Sequence, residues 1–119
     1  MSKSTRYTAT GLWVTKKKDS YLIGLSKMGQ DEAGEISYVD LNVDNQTIAT
    51  DEVLLSVEGD KAVTEFTTPF SLTVIKWHEA LEHTPEMLNQ TNQADRWILE
   101  GQLISDDEFK RLKKDEKIG

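Results

Sequence analysis

Val53-Leu54-Leu55-Ser56-Val57-Glu58-Gly59-Asp60-Lys61-Ala62-Val63-Thr64-Glu65-Phe66 reads as two strands folded back on one another. Residues 53–57 and 62–66 are dominated by β-branched, aliphatic and aromatic side chains. Between them, Glu58-Gly59-Asp60-Lys61 carries a Gly-Asp pair that accepts tight-turn backbone without strain. The reading makes a hairpin with Lys61 at its tip, held away from the sheet. Pro69 cannot donate to a ladder, so pairing breaks there before 72–77, Leu-Thr-Val-Ile-Lys-Trp, forms the next strand.

The same punctuation runs upstream. Leu12-Trp13-Val14 and Tyr21-Leu22-Ile23-Gly24-Leu25 are apolar runs separated by Lys16-Lys17-Lys18-Asp19-Ser20, whose adjacent charges demand a solvated turn. Residues 26–33 interrupt the strands with a short helical turn that Gly34 closes as a C-cap. In Ile36-Ser37-Tyr38-Val39-Asp40-Leu41, strict alternation assigns Ile36, Tyr38 and Asp40 to one face and Ser37, Val39 and Leu41 to the other. Asp44-Asn45-Gln46 then turns the chain. After Trp77 the signals become helical: Thr84-Pro85-Glu86 combines a capping hydroxyl, a proline suited to the first helical position and an acid at the positive end of the dipole. Trp97-Ile98-Leu99 reads as a last strand. Ser105-Asp106-Asp107-Glu108 has capping-box spacing, ahead of a helix over 109–114 that runs from acidic to basic. The class expected is mainly β, with short peripheral helices and a C-terminal helix.

Length and charge narrow the functions. A chain of 119 residues suits one domain spanning 1–119. With 14 Lys and Arg against 21 Asp and Glu, the net charge is −7, which repels phosphate backbones and anionic lipid surfaces and argues against nucleic-acid or membrane partners. There is no cysteine, so thiolate nucleophiles, disulfides and cysteine-based metal sites are excluded. The opening ten residues carry Lys3 and Arg6 with no apolar run behind them, unlike an export signal, so a cytoplasmic location is expected and the Asn45 and Asn89 N-x-T triplets carry no glycan.

The inventory for catalysis is thin. His78 and His83 are five residues apart, off one helical face and without further ligands at a metal spacing, so no metal is expected. No nucleophile elbow or phosphate-cradling glycine loop occurs, and the carboxylates are scattered over turns and helix ends. The chain is therefore read as a non-enzyme and a monomer. The three Trp and three Tyr lie in or beside strand runs, where packing explains them. Lys61 remains the residue to explain.

Glu58-Gly59-Asp60-Lys61-Ala62, with Pro69 eight residues past the lysine, resembles the lipoyl-attachment hairpin of the glycine cleavage system H protein family. The similarity continues through Trp13-Val14, Gly34-Glu35-Ile36-Ser37-Tyr38-Val39, Glu79-Ala80-Leu81, Thr84-Pro85-Glu86-Met87-Leu88-Asn89 and Asp95-Arg96-Trp97-Ile98, in the family's order and spacing. The resemblance implies a flattened antiparallel β-barrel or sandwich of the lipoyl/biotinyl-carrier type. It implies that lipoic acid is joined covalently to Lys61, and that Glu58, Asp60 and Ala62 help a lipoate–protein ligase find the hairpin. The arm would supply the sulfur that the sequence lacks, making the protein a carrier between enzymes.

Departures from the family pattern widen the functional choice. The strand before Trp13 reads Gly11-Leu12, where the family has a His and an acid. Gly59-Asp60 stands where a small residue and Val precede the lysine, and Ser71-Leu72 where Ser-Gly follows the proline. This pattern is more similar to an H-like branch of Gram-positive bacteria, associated with a sirtuin-type ADP-ribosyltransferase and a macrodomain hydrolase. There Asp31 and Glu32 would be the acceptors of ADP-ribose. The alternative is a conventional shuttle of the aminomethyl group among glycine decarboxylase, aminomethyltransferase and dihydrolipoyl dehydrogenase. An unmodified β-domain serving as a scaffold is the third reading.

Overall fold

Each short apolar run becomes a strand in the computed structural model, which describes residues 5–103 and 105–114. The strands are β1 (Thr5–Tyr7), β2 (Leu12–Lys16), β3 (Tyr21–Leu25), β4 (Ile36–Leu41), β5 (Thr47–Ile48), β6 (Val53–Gly59), β7 (Val63–Thr67), β8 (Leu72–Trp77) and β9 (Trp97–Leu103). All pairing among the described residues is antiparallel, in a larger sheet of order β1-β2-β3-β9-β8-β5 and a smaller one of order β4-β6-β7. The mainly β, sandwich-like architecture matches the sequence expectation, as two open sheets around one core rather than a fully hydrogen-bonded barrel.

Both sheets feed that core. Leu12, Val14, Ile23, Leu25 and Leu99 from the larger sheet meet Val39, Leu41, Leu55, Val57 and Phe66 from the smaller, all essentially buried. On β2 the opposite face is covered as well. Trp13 pairs with Gly24 and lies across it, so closely that a β-carbon at Gly24 would sit 2.3 Å from the indole. A glycine there lets the ring cover the sheet.

Among the described residues, two helices and three 3-10 turns close the sandwich. α1 (Lys27–Ala33) begins at Ser26, whose hydroxyl accepts from the Gly29 amide, and ends at Gly34 with φ of 81°. Glycine adopts that left-handed backbone with little strain, as the C-cap reading expects. The 3-10 segments Glu79–Glu82 and Pro85–Asn89 lie along the free edge of β4. There the Asn89 amide brackets Ile36, accepting from its N–H at 2.8 Å and donating to its carbonyl at 2.9 Å, while Glu82 accepts from the Leu41 amide at 3.0 Å. These side chains do the work of a neighbouring strand and blunt an exposed edge.

Several local expectations are corrected. The turn of the quoted hairpin is not Glu58-Gly59-Asp60-Lys61: Glu58 and Gly59 belong to β6, and Asp60-Lys61-Ala62 form a three-residue tip closed by the Gly59 amide on the Ala62 carbonyl. Lys16 likewise belongs to β2. Alternation in β4 fails because a bulge between Ile36 and Tyr38 slips the register, so Ile36, Val39 and Leu41 are buried and Tyr38 faces out. Thr84 makes no side-chain cap and the segment behind it is 3-10. α2 covers only Asp106–Lys110, without a side-chain bond from Ser105, so the capping box is not formed. That helix is held by tertiary contacts instead: the Tyr21 hydroxyl donates to Asp106, which also pairs with Lys16 at 2.8 Å, and Phe109 packs on Tyr21. Burial, then the bond to Asp106, pushes the Tyr21 phenol up to about 12.

Candidate functional site

The β6–β7 tip is clamped to the C-terminal end of α1 by backbone geometry that small residues permit. A β-carbon on Gly59 would lie 2.0 Å from the Ala33 carbonyl oxygen, and one on Gly34 would lie 2.1 Å from Asp60 Oδ1. Through this close approach the Lys61 amide donates to the Ala33 carbonyl at 3.1 Å and the Asp60 amide to the Glu35 carbonyl at 3.0 Å. Asp60 Oδ1 returns the bond by accepting from the Glu35 amide at 2.8 Å. Asp60 therefore builds the tip as well as charging it, a role its sequence context did not reveal. A tip fastened at both its backbone and a side chain presents the next residue at a fixed point.

Lys61 is that residue. It is exposed, and its Nζ donates to the carbonyl of Asp31 at 3.2 Å, near the negative end of α1. Asp31 is in turn paired through its carboxylate with Lys27 at 2.6 Å. The hydrogen bond from Lys27 holds the Asp31 carboxyl below the usual range; slight desolvation opposes this, and the charges of Lys27 and Lys61 add to it. Asp31 and Glu32 are both exposed, and the structure brings Asp31 directly to Lys61. Lys27, Gln30, Asp31, Glu35, Lys61 and Asn89 surround a shallow cleft of about 410 Å³ beside the lysine. Ala62 completes the tip and Glu58 stands near the end of β6, both exposed.

Other candidates fall away from this site. His78 is buried, with Nδ1 2.7 Å from the Trp97 carbonyl and its ring stacked on Trp97 at 4.1 Å, so it serves packing. Among the described residues no group of three or more His, Asp or Glu gathers as a metal site. No described helix is long and apolar enough to cross a membrane.

The site is thus an exposed lysine at the tip of a hairpin, fastened to α1 and the 34–35 segment through its own backbone and Asp60. Residues 5–119 match the family model described as glycine cleavage H-protein. The chain belongs to the glycine cleavage H-protein family. Among its relatives, the glycine cleavage system H protein of Nitratidesulfovibrio vulgaris is 35% identical over 97 residues, covering 82% of this chain and 76% of that one. The H protein of Listeria monocytogenes serotype 4b is 31% identical over 112 residues, covering 94% and 90%. The crystal structure of a glycine cleavage system H protein from Mycobacterium marinum superposes with a TM-score of 0.75 at 19% identity, covering 88% of this chain and 87% of that one, and so shares the fold. As an H-protein family member the chain is a carrier rather than an enzyme.

Sequence reasoning missed the residues that hold the H-protein site in place. Gly59 and Glu35 lie in the runs that carry the resemblance and Ala33 in none, but the role of all three lies in a contact between segments about 25 positions apart in the chain. Gly59→Ala is expected to cost about 1–3 kcal/mol, because the new methyl group meets backbone rather than a movable side chain. Urea denaturation measures it; an unchanged midpoint would show that the tip relaxes away freely.

Proposed function

We propose that the chain is a single lipoyl-carrier domain, acting in the cytoplasm, with lipoic acid joined through an amide to Lys61. The observation that supports this most directly is the fastened tip: the Lys61 amide is bound to the Ala33 carbonyl of α1 and Asp60 to the Glu35 backbone, while Nζ has a carbonyl partner at 3.2 Å that it can leave. The residues present fit the group. Lys61 is exposed, and the cleft beside it is open and polar. Amide formation at Nζ requires the amine to lose its proton and removes one positive charge. The attached group supplies a redox-active dithiolane at the end of a flexible arm. Asp60 and Ala62 of the tip, with Glu58 near the end of β6, are what a lipoate–protein ligase meets first.

The reading extends to a regulated, H-like carrier. Asp31 supplies both the carbonyl that holds Lys61 and an ionised, exposed carboxylate next to it, so Asp31 or Glu32 can act as nucleophile toward NAD, displacing nicotinamide and keeping ADP-ribose. A sirtuin-type transferase and a macrodomain hydrolase would be the partners. The alternative keeps Lys61 and gives the arm to glycine decarboxylase, aminomethyltransferase and dihydrolipoyl dehydrogenase, as the names of the relatives suggest.

Intact-mass measurement of the protein purified from its own host tests both levels. One added lipoyl group is expected, with a further ADP-ribose on a fraction of molecules under oxidative conditions. No lipoyl adduct in a lipoate-replete host overturns the carrier. A lipoyl adduct alone, with Asp31→Ala and Glu32→Ala labelled by the transferase and NAD as strongly as the parent, leaves the aminomethyl shuttle.

A further inference from the structure

Tyr38 alternates regularly with Val39, Asp40 and Leu41 and so faces out; the extra residue, Ser37, lets Ile36 turn inward as well, and its hydroxyl donates to the Glu58 carbonyl at 3.3 Å across the bulge. Tyr38 is left 52% exposed. Tyr38 pairs with Glu58, and Glu58 with Val63, which is 74% exposed, so the three stand in one row across the outer face of the smaller sheet. The row begins two residues from Lys61. Behind it runs a second, Asp40-Ser56-Glu65, also outward. The face thus carries two apolar side chains, three carboxylates and no Lys or Arg. β-Propensity alone accounts for valine or tyrosine in a strand, but not for the exposure of both on one outward row that ends beside the tip.

We propose that this face, with Tyr38 and Val63 on either side of Glu58, is the surface by which the lipoate–protein ligase grips the protein while Lys61 enters its active site. The proposal rests on the carrier reading. An enzyme that acylates Lys61 must approach the tip, and this face is continuous with it. Its acidic surround calls for a ligase surface with a small apolar depression rimmed by Lys or Arg, where the two apolar side chains supply contact area and the charges supply orientation. Isolated lysines elsewhere, such as Lys18, lack such a platform and are left unmodified.

The test uses the full chain with a lipoate–protein ligase, lipoate and ATP, following acylation against acceptor concentration. Tyr38→Thr/Val63→Thr puts a residue of good strand propensity at both positions. It is expected to raise the KM for the acceptor about tenfold with kcat within about twofold, as loss of interface contacts does. Glu58→Gln/Glu65→Gln should flatten the salt dependence of KM. Ile75→Thr, an exposed apolar position on the larger sheet, should behave as the parent. Thermal melts check folding, and Val63→Thr alone, at the more exposed position, serves if the pair does not fold. A parental KM in the folded apolar variants overturns the surface while the carrier stands. A parent that is never acylated overturns both. Self-association of the parent that the apolar variant abolishes, with KM unchanged, assigns the face to a second copy and overturns the proposal.

Discussion

Lys61→Arg will take up no lipoyl group. Acylation needs a neutral amine, and a guanidinium stays protonated at neutral pH and does not attack a carbonyl carbon. The substitution keeps the charge and nearly the reach, so the contact with the Asp31 carbonyl can persist, and an exposed change of this kind moves stability by only about ±0.5 kcal/mol. Loss of modification would therefore report loss of the acceptor rather than loss of the fold. The rival lysines are placed less favourably. Lys76 stands in β8 with its Nζ 5.9 Å from the centre of the Trp97 ring, and Lys27 is paired with Asp31 on α1. Incubation with a lipoate–protein ligase, lipoate and ATP followed by intact-mass measurement should show one lipoyl group on the parent and none on the variant. Full modification of the variant would move the acceptor to another lysine.

The second large effect concerns stability. Arg96 is 3% exposed, and its guanidinium works as a staple: Nε donates to the Leu25 carbonyl at 2.9 Å, and Nη1 to those of Gln90 and Thr91, each at 3.0 Å. Leu25 ends β3 and precedes α1, so the staple joins the start of the site helix to the 90–96 segment. Gln30 of α1 also donates to the Gln90 carbonyl at 3.1 Å, so that acceptor keeps a partner when Arg96 is removed. The carbonyls of Leu25 and Thr91 lose the bonds from Arg96. Leu25 is fully buried, so its carbonyl is left unsatisfied at about 1–3 kcal/mol, and the lost packing of the guanidinium adds to that, whereas the exposed Thr91 can take water; Arg96→Ala is expected to cost about 2–4 kcal/mol. That is a large share of the roughly 5–15 kcal/mol that holds a domain of this kind together. Arg96→Lys should recover only part of it, since one ammonium cannot match the fork. Urea denaturation of the three proteins checks this; a loss under about 1 kcal/mol in Arg96→Ala would show that water reaches the freed carbonyls.

Where local chemistry is self-sufficient, the sequence was legible. β2, β3, β4 and β8 lie where short apolar runs bounded by Lys, Gly, Asp or Pro placed them, and α1 sits between the Ser26 cap and Gly34. The family resemblance reached further, because a motif carries information about contacts that composition lacks, and it singled out Lys61 and its hairpin. Where two signals compete within a few residues, the reading failed. Ser105 and Glu108 have capping-box spacing, yet Asp106 is drawn to Tyr21 and Lys16, and five residues rather than a longer helix result. Tertiary bonds of that kind outweigh a cap worth about 1 kcal/mol.

β5 is two residues long and is a strand only because β8 lies beside it, and β1 owes its place to β2; neither has a periodic signal of its own. The bulge at Ser37 could not be read from Ile36-Ser37-Tyr38, since alternation is all that a strand displays locally, and a register slip is a property of the pair. The same holds at the site. Residue identities place a lysine at the tip of a hairpin, through turn propensity and strand pattern that act over a few positions. Its fastening to the Ala33 and Glu35 backbone, its contact with the Asp31 carbonyl, and the inward turn of Ile36 arise from segments that meet only after the sheets close. Their energies depend on distances between groups some 20 to 30 residues apart, which no local pattern encodes.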